Sequence, residues 1–174
     1  MRKKIFVTGR SGVGKSTLIE ESLRRFNGPT HGFYTTELIE GDKRAGYNLN
    51  IINGPTRCLA HVNFSGAQRV GKYGVDLQMF EDYVIPELEK GMQQGSRLII
   101  DEIGKMELLS IRFKRTVLKA ARGDYLILAT VMAKPHPLID QLKDLKDLHW
   151  LTITEENRVS LMYEIVRKMS DPDA

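Results

Sequence analysis

The chain has 174 residues, 41% hydrophobic and 28% charged, which suits one globular domain, residues 1–174, with a sizeable core. No stretch approaches the length of a membrane span, and a single cysteine, Cys58, excludes an internal disulfide and suits a reducing, cytoplasmic compartment. The net charge of +4 is mild, and no basic run carries interleaved aromatics, which argues against nucleic acid as a partner.

The N-terminus, MRKKIFVTG, is basic and then apolar, like the start of a signal peptide. Its apolar run is only four residues and leads into a glycine-rich loop, so no targeting role is expected. The run reads instead as a strand at about 4–8. Residues 9–16, GRSGVGKS, follow it and match G-x-x-x-x-G-K-[ST], the Walker A pattern. Leu18, Ile19, Ser22, Leu23 and Phe26 then recur at helical spacing, giving a helix at about 14–26. Glycines between a strand and a helix let backbone N–H groups converge on one anion, and the helix adds its positive end. Lys15 has the charge for the β- and γ-phosphates, and Ser16 has a hydroxyl for Mg²⁺.

Residues 31–40 and 45–52 read as two strands around the turn Gly41-Asp42-Lys43-Arg44. Residues 53–75 are rich in glycine and polar groups and read mostly as loop, with one short strand near 58–64. Asp76 is a candidate N-cap for a helix with Leu77, Phe80, Val84 and Leu88 on one face. Pro86 predicts a kink, or a break and restart, inside it. Arg97–Asp101 reads as a strand, Met106–Ala121 as a helix with Phe113 and Val117 inward, and Tyr125–Val131 as a buried strand. A short helix runs from Pro135 to about Leu142 and a last strand from His149 to Thr154. Glu155–Met169 closes the chain as a helix, with Val159, Met162, Val166 and Met169 on one face. Repeated strand–helix units imply an α/β fold: a mostly parallel sheet with helices on both faces.

The second strong signal is RLIIDEIGKME, residues 97–107. A strand ending in Asp101 places a carboxylate beside the phosphate loop, where it can share Mg²⁺ with Ser16; this is the Walker B pattern. Glu102 has the chemistry to orient or deprotonate an attacking water. Lys105 has two readings, a catalytic charge at the γ-phosphate or a solvated lysine at a helix start. Arg158 likewise stacks on a nucleobase or lies on a surface helix. Arg10 sits inside the loop with its side chain toward solvent. The four histidines lack metal-ligand spacing, Trp150 reads as core, and spacing assigns no role to Glu37 or Tyr73.

GRSGVGKST, HGFYTTE, VGKYGVDL, DEIGKMEL and TEENR, in this order, resemble the small P-loop nucleoside-triphosphatases of thermophilic prokaryotes and their cancer-linked animal relative. The resemblance covers about residues 3–168. It implies a three-layer, kinase-like P-loop NTPase fold with an added antiparallel hairpin. The implied activity is hydrolysis of nucleoside triphosphates to diphosphate and phosphate, with low base selectivity, in a cytoplasmic protein expected to be monomeric. It carries Gly9, Arg10, Ser11, Gly12, Val13, Gly14, Lys15 and Ser16, with Thr17 beside them, to the phosphate site. It carries Asp101, Glu102, Ile103, Gly104, Lys105 and Met106 to the nucleotide site. A nucleotide or small-molecule kinase shares the loop and metal site but usually carries an arginine-rich lid; the arginines here are scattered. A guanine-nucleotide switch normally carries N-K-x-D, which is absent.

Overall fold

In the computed structural model, which describes residues 1–170, Ile5 and Val7 face one side of a sheet and Phe6 the other. All three are buried, so their strand, β1 (Lys4–Gly9), is central. Burial on both faces is what a strand between two helical layers requires. β1 pairs in parallel with β8 (Ile127–Met132) and β9 (Leu148–Thr152). β8 pairs in parallel with β7 (Arg97–Ile103), and β7 with the start of β2 (Thr30–Glu40). Beyond β2 the sheet turns antiparallel through β3 (Lys43–Ile51), β4 (Thr56–His61), β6 (Tyr73–Val75) and β5 (Arg69–Val70). The nine-stranded order is β5-β6-β4-β3-β2-β7-β8-β1-β9.

Two apolar cores flank the sheet. On one face, α1 (Lys15–Leu23) and α5 (Arg158–Ser170) cover Ile5, Val7, Ile99 and Leu128. On the other, α2 (Leu77–Gln94), α3 (Ile111–Arg122) and α4 (Pro137–Lys143) cover Phe6, Leu98, Ile100 and Ala129. Phe33, Phe80 and Phe113 meet edge to face there, with centroids 5.2–5.9 Å apart. Three layers with helices on both faces match the expected α/β class. Residues 171–174 of the expected domain lie outside the described residues. Among the described residues, no helix is long and apolar enough to cross a membrane.

Several elements differ from expectation, each for a physical reason. Residues 53–75 form three strands rather than mostly loop, because Leu59, Ala60, Tyr73 and Val75 bury themselves through distant backbone pairing. The hairpin turn is only Gly41-Asp42, with Glu40 opposite Lys43. α2 runs unbroken through Pro86. Pro86 and Asp82, whose carbonyl loses its partner, are both exposed, so solvent serves that carbonyl. The helix expected from Met106 splits into a 3-10 turn, Glu107–Leu109, and α3. Ser110 separates them: its Oγ accepts from the Phe113 amide at 3.0 Å and donates to Glu81 Oε1 at 2.8 Å. α1 stops at Leu23, β8 starts at Ile127, and α4 starts after His136, whose Nδ1 accepts from the Leu138 amide. β9 ends at Thr152 and α5 begins at Arg158. Between them Thr154 and Asn157 cap each other, with Asn157 N–H on Thr154 Oγ1 and Thr154 N–H on Asn157 Oδ1.

The register of α5 also differs. Val159 is 63% exposed, and the buried face is Leu161, Met162, Ile165 and Met169. Ile165→Ala should therefore lower the unfolding free energy by about 2–5 kcal/mol. Val159→Ser should change it by no more than about 0.5 kcal/mol. Denaturant titrations of both variants check this, and equal losses would contradict the register.

Candidate active site at the carboxyl ends of the parallel strands

The phosphate-binding pattern forms the turn from β1 into α1, at the carboxyl end of the strand where ligands bind in such sheets. Gly14 caps α1 at φ 112°, in the left-handed region that only glycine occupies freely. Gly9 has no room for a side chain: a Cβ would stand 2.8 Å from Ile153 Cγ2 and 2.9 Å from its carbonyl oxygen. The Lys15 ammonium folds back over the loop, donating to Gly9 O at 2.6 Å and Arg10 O at 3.2 Å. Val13 contributes backbone only, since its side chain lies in the α1–α5 core.

β7 brings the carboxylates. Its pairing with β8 shifts between Ile100↔Ala129 and Ile103↔Val131, so Asp101 and Glu102 together oppose Thr130. Asp101 is 1% exposed. Its Oδ1 accepts from Thr130 Oγ1 at 2.6 Å; its Oδ2 accepts from Ser16 Oγ at 2.9 Å and the Thr35 amide at 3.3 Å. Burial raises its pKa, against the opposing pull of these donors and of the Lys15 charge. Burial also raises Glu102, with Lys15 acting to lower it and Asp101 to raise it further. A Cβ on Gly104 would come within 2.8 Å of Glu102 Oε1, so the glycine leaves that carboxylate room. Ile103 is fully buried in the opposite core, so its side chain cannot reach a ligand.

Ser11, Gly12, Gly14, Lys15, Ser16, Thr17 and Glu102 line one cleft of about 450 Å³. Its far wall is the hairpin β2–β3, with Thr35, Glu37, Arg44 and Tyr47. Arg44 is the residue that sequence reasoning missed here. Its Nε donates to the Tyr73 hydroxyl at 3.0 Å and its Nη1 to Glu37 at 3.0 Å, and its guanidinium lies 5.1 Å from the Tyr47 ring centroid. The Tyr73 hydroxyl and Glu37 carboxylate raise its pKa further. Arg158 comes to the loop as well, its Cδ 3.8 Å from where a Gly14 Cβ would be. Arg10 is exposed and paired with Glu155 at 2.7 Å, at the rim of an adjoining cavity. Lys105 and Met106 border this cavity on the Glu102 side, with Met132 and Lys134. The Lys134 ammonium beside Lys105 holds the Lys105 pKa below the ordinary lysine value.

Asp101 and Ser16 are the groups able to hold a metal. Asp101 is buried, and among the described residues it has no ion-pair partner, so a cation suits it. No group of three or more His, Cys, Asp or Glu able to hold a metal occurs among the described residues.

A family model described as NTPase matches residues 4–166. The chain belongs to the NTPase family. It is 39% identical to the nucleoside-triphosphatase THEP1 of Thermotoga maritima over 163 residues, covering 94% of this chain and 93% of that protein. It is 36% identical to the human cancer-related nucleoside-triphosphatase, covering 95% and 96% of the two chains. The crystal structure of THEP1 from Aquifex aeolicus superposes with a TM-score of 0.88 at 31% identity, covering 97% of this chain and 99% of that one. The solution structure of the human protein gives 0.80 at 34% identity, covering 95% and 96%. The fold is therefore that of this NTPase family.

Glu107 has no counterpart in the sequence reading. It is 5% exposed in the cavity beside Glu102, and its pKa rises to about 8, mainly through burial and then through the Glu102 charge. Between its ordinary value of 4.5 and about 8, the folded chain holds a proton at Glu107 that the unfolded chain has lost. Its contribution to stability must therefore fall as pH rises through that window. Glu107→Gln should flatten this fall, so the gain of the variant over the parent grows from pH 5 to pH 8. Urea midpoints measured across that range check it, and a constant difference would refute the buried acid.

Proposed function

We propose that the chain hydrolyses nucleoside 5′-triphosphates to nucleoside diphosphate and phosphate, in a Mg²⁺-dependent reaction with low selectivity for the base. One observation carries the reading: Ser16 Oγ and Asp101 Oδ2 meet at 2.9 Å beside a glycine-rich helix N-terminus, with Lys15 and Glu102 lining the same cleft. The names of the relatives, nucleoside-triphosphatases, support it.

The backbone N–H groups of residues 9–16 cradle the β- and γ-phosphates. Lys15 turns from the Gly9 and Arg10 carbonyls to the phosphate oxygens. Ser16 and Asp101 would hold Mg²⁺, which when bound would neutralise developing phosphate charge. Glu102 orients a water and takes its proton while the water oxygen bonds to the γ-phosphorus. The bond to the β,γ-bridging oxygen breaks, and Lys105 steadies the charge that develops. Arg158, beside Gly14, stacks on the base, and stacking tolerates any base. The one cysteine, Cys58, is free, which supports a reducing, cytoplasmic setting.

Lys15→Ala should lower kcat by orders of magnitude, and EDTA should abolish phosphate release. Full turnover in EDTA would refute the metal roles of Ser16 and Asp101. Glu102→Gln should leave nucleotide binding nearly intact while reducing kcat by roughly 10²–10⁴-fold. A wild-type rate in that variant would place water activation elsewhere.

Values of kcat/KM for ATP, GTP, CTP and UTP should agree within about 10–100-fold, and Arg158→Ala should weaken all four together. A loss confined to one nucleotide would mean that Arg158 reads the base by hydrogen bonding.

A further inference from the structure

Past Glu102 the phosphate cleft opens into a second cavity of about 530 Å³. A water molecule occupies only about 30 Å³ of liquid, so an attacking water alone does not need this space. Its size falls within the range of small-molecule sites, about 300–1,000 Å³. Ser11, Lys15 and Glu102 form the end nearest the γ-phosphate position. Tyr47, Leu59, Val70, Met106 and Met132 form an apolar wall farther out. Three of those five come from the antiparallel strands β3, β4 and β5, which hold none of the metal or loop residues. The Tyr47 ring is held in place, edge to face on Tyr73 at 5.4 Å and under Arg44. Such a wall suits a flat or apolar molecular body.

The polar groups narrow the chemistry. Glu102 and Glu107 line the cavity together with the cations Arg10, Lys15, Lys105 and Lys134. Glu102 at the transfer end suits a hydroxyl, which needs a proton acceptor, and the buried, protonated Glu107 suits a neutral polar group. The lysines stand where charge on a phosphoryl group in transit would be balanced.

We propose that this cavity is an acceptor site, in which the chain transfers the γ-phosphoryl group to a hydroxyl of a neutral small molecule with a flat, nucleoside-sized body. The proposal rests on the reading of the phosphate site given above. The acceptor oxygen bonds to the γ-phosphorus as the bond from phosphorus to the β,γ-bridging oxygen breaks. The electron pair of that bond leaves with the nucleoside diphosphate. The hydroxyl proton passes to Glu102 and then to solvent, so NTP and alcohol give NDP, a phosphate monoester and H⁺. With the cavity empty, water takes the place of the hydroxyl and the outcome is hydrolysis.

The test uses the full chain, Mg²⁺ and ATP labelled with ³²P in the γ-phosphate, with adenosine, uridine or glycerol as probe acceptors. Labelled phosphate and labelled ester are resolved by chromatography. A nucleoside should yield labelled ester at least about tenfold faster than glycerol does, with phosphate release falling as ester accumulates. Val70→Trp fills the outer wall and should lower ester formation about tenfold or more, with phosphate release in the absence of probe within about threefold of the parent. That retained release also shows that the variant folds; if it is lost, Val70→Phe is judged by the same criteria. No labelled ester from either nucleoside in the parent overturns the proposal. So does ester formation that ignores the plug, or a tenfold rise in KM for ATP in the plugged variant, which would assign the cavity to the nucleotide itself. Phosphate release by the parent without probe tests the hydrolase reading separately, since ester without any such release would refute hydrolysis and leave transfer standing.

Discussion

The site depends on keeping one buried carboxylate in place. Asp101 is nearly inaccessible, and burying a charge without compensation is costly. The compensation comes from three separate elements: Ser16 on α1, Thr35 on β2 and Thr130 on β8. Each donor also ties its own element to β7. The phosphate loop, the hairpin and the strand between β1 and β7 are thus tied to a single pair of oxygens. The donors satisfy hydrogen bonding but add no positive charge at contact distance, so the carboxylate remains a site suited to a cation.

Strand order then decides what surrounds the phosphates. β8 lies between β1 and β7, so the Walker A and Walker B segments are not adjacent strands. The carboxyl end of β8 enters the gap, supplying Thr130 to Asp101 and carrying Met132 and Lys134 to the far cavity. On the other side, β2 pairs in parallel at its start and antiparallel along its length. That change of partner leads the sheet past the end of β7, where β3, β4 and β5 wall the Glu102 side of the site. One strand therefore serves the parallel core and builds the edge of the cleft.

What could be read from the sequence follows from how local each feature is. The phosphate loop is one consecutive run whose function lies in its own backbone, so GRSGVGKS suffices to identify it. Asp101 and Glu102 are legible because a buried apolar run ends on them. Thr130 and Lys134 are not, because their roles arise from parallel pairing with strands far away in the chain. Arg44 was hidden for a related reason: its partner Glu37 lies across the hairpin and Tyr73 comes from β6. Residues 53–75 read as loop because strands of two to six residues have too few alternations to show a period. Pro86 misled in the opposite direction. Its local rule is sound, but Val84, Ile85 and Leu88 bury their side chains in the core and hold the helix across it.

Cations approach the site from several directions: Lys15 from the loop, Arg44 from the hairpin, Lys105 and Lys134 from the far cavity, and Arg158 from α5. A triphosphate spreads its charge along a chain, and positive groups along that path match it better than one strong point. In the proposed reaction this arrangement would stabilise charge as it moves from the γ-phosphate toward the bridging oxygen, which is where phosphoryl transfer needs help. It does not specify the oxygen that attacks. On the proposed reading that choice falls to the space beyond Glu102, because the same base and the same charge distribution would serve water and a hydroxyl equally. On this proposal the sheet divides the labour: the parallel half would activate the phosphoryl group, and the antiparallel half would shape the volume from which the attacking group comes.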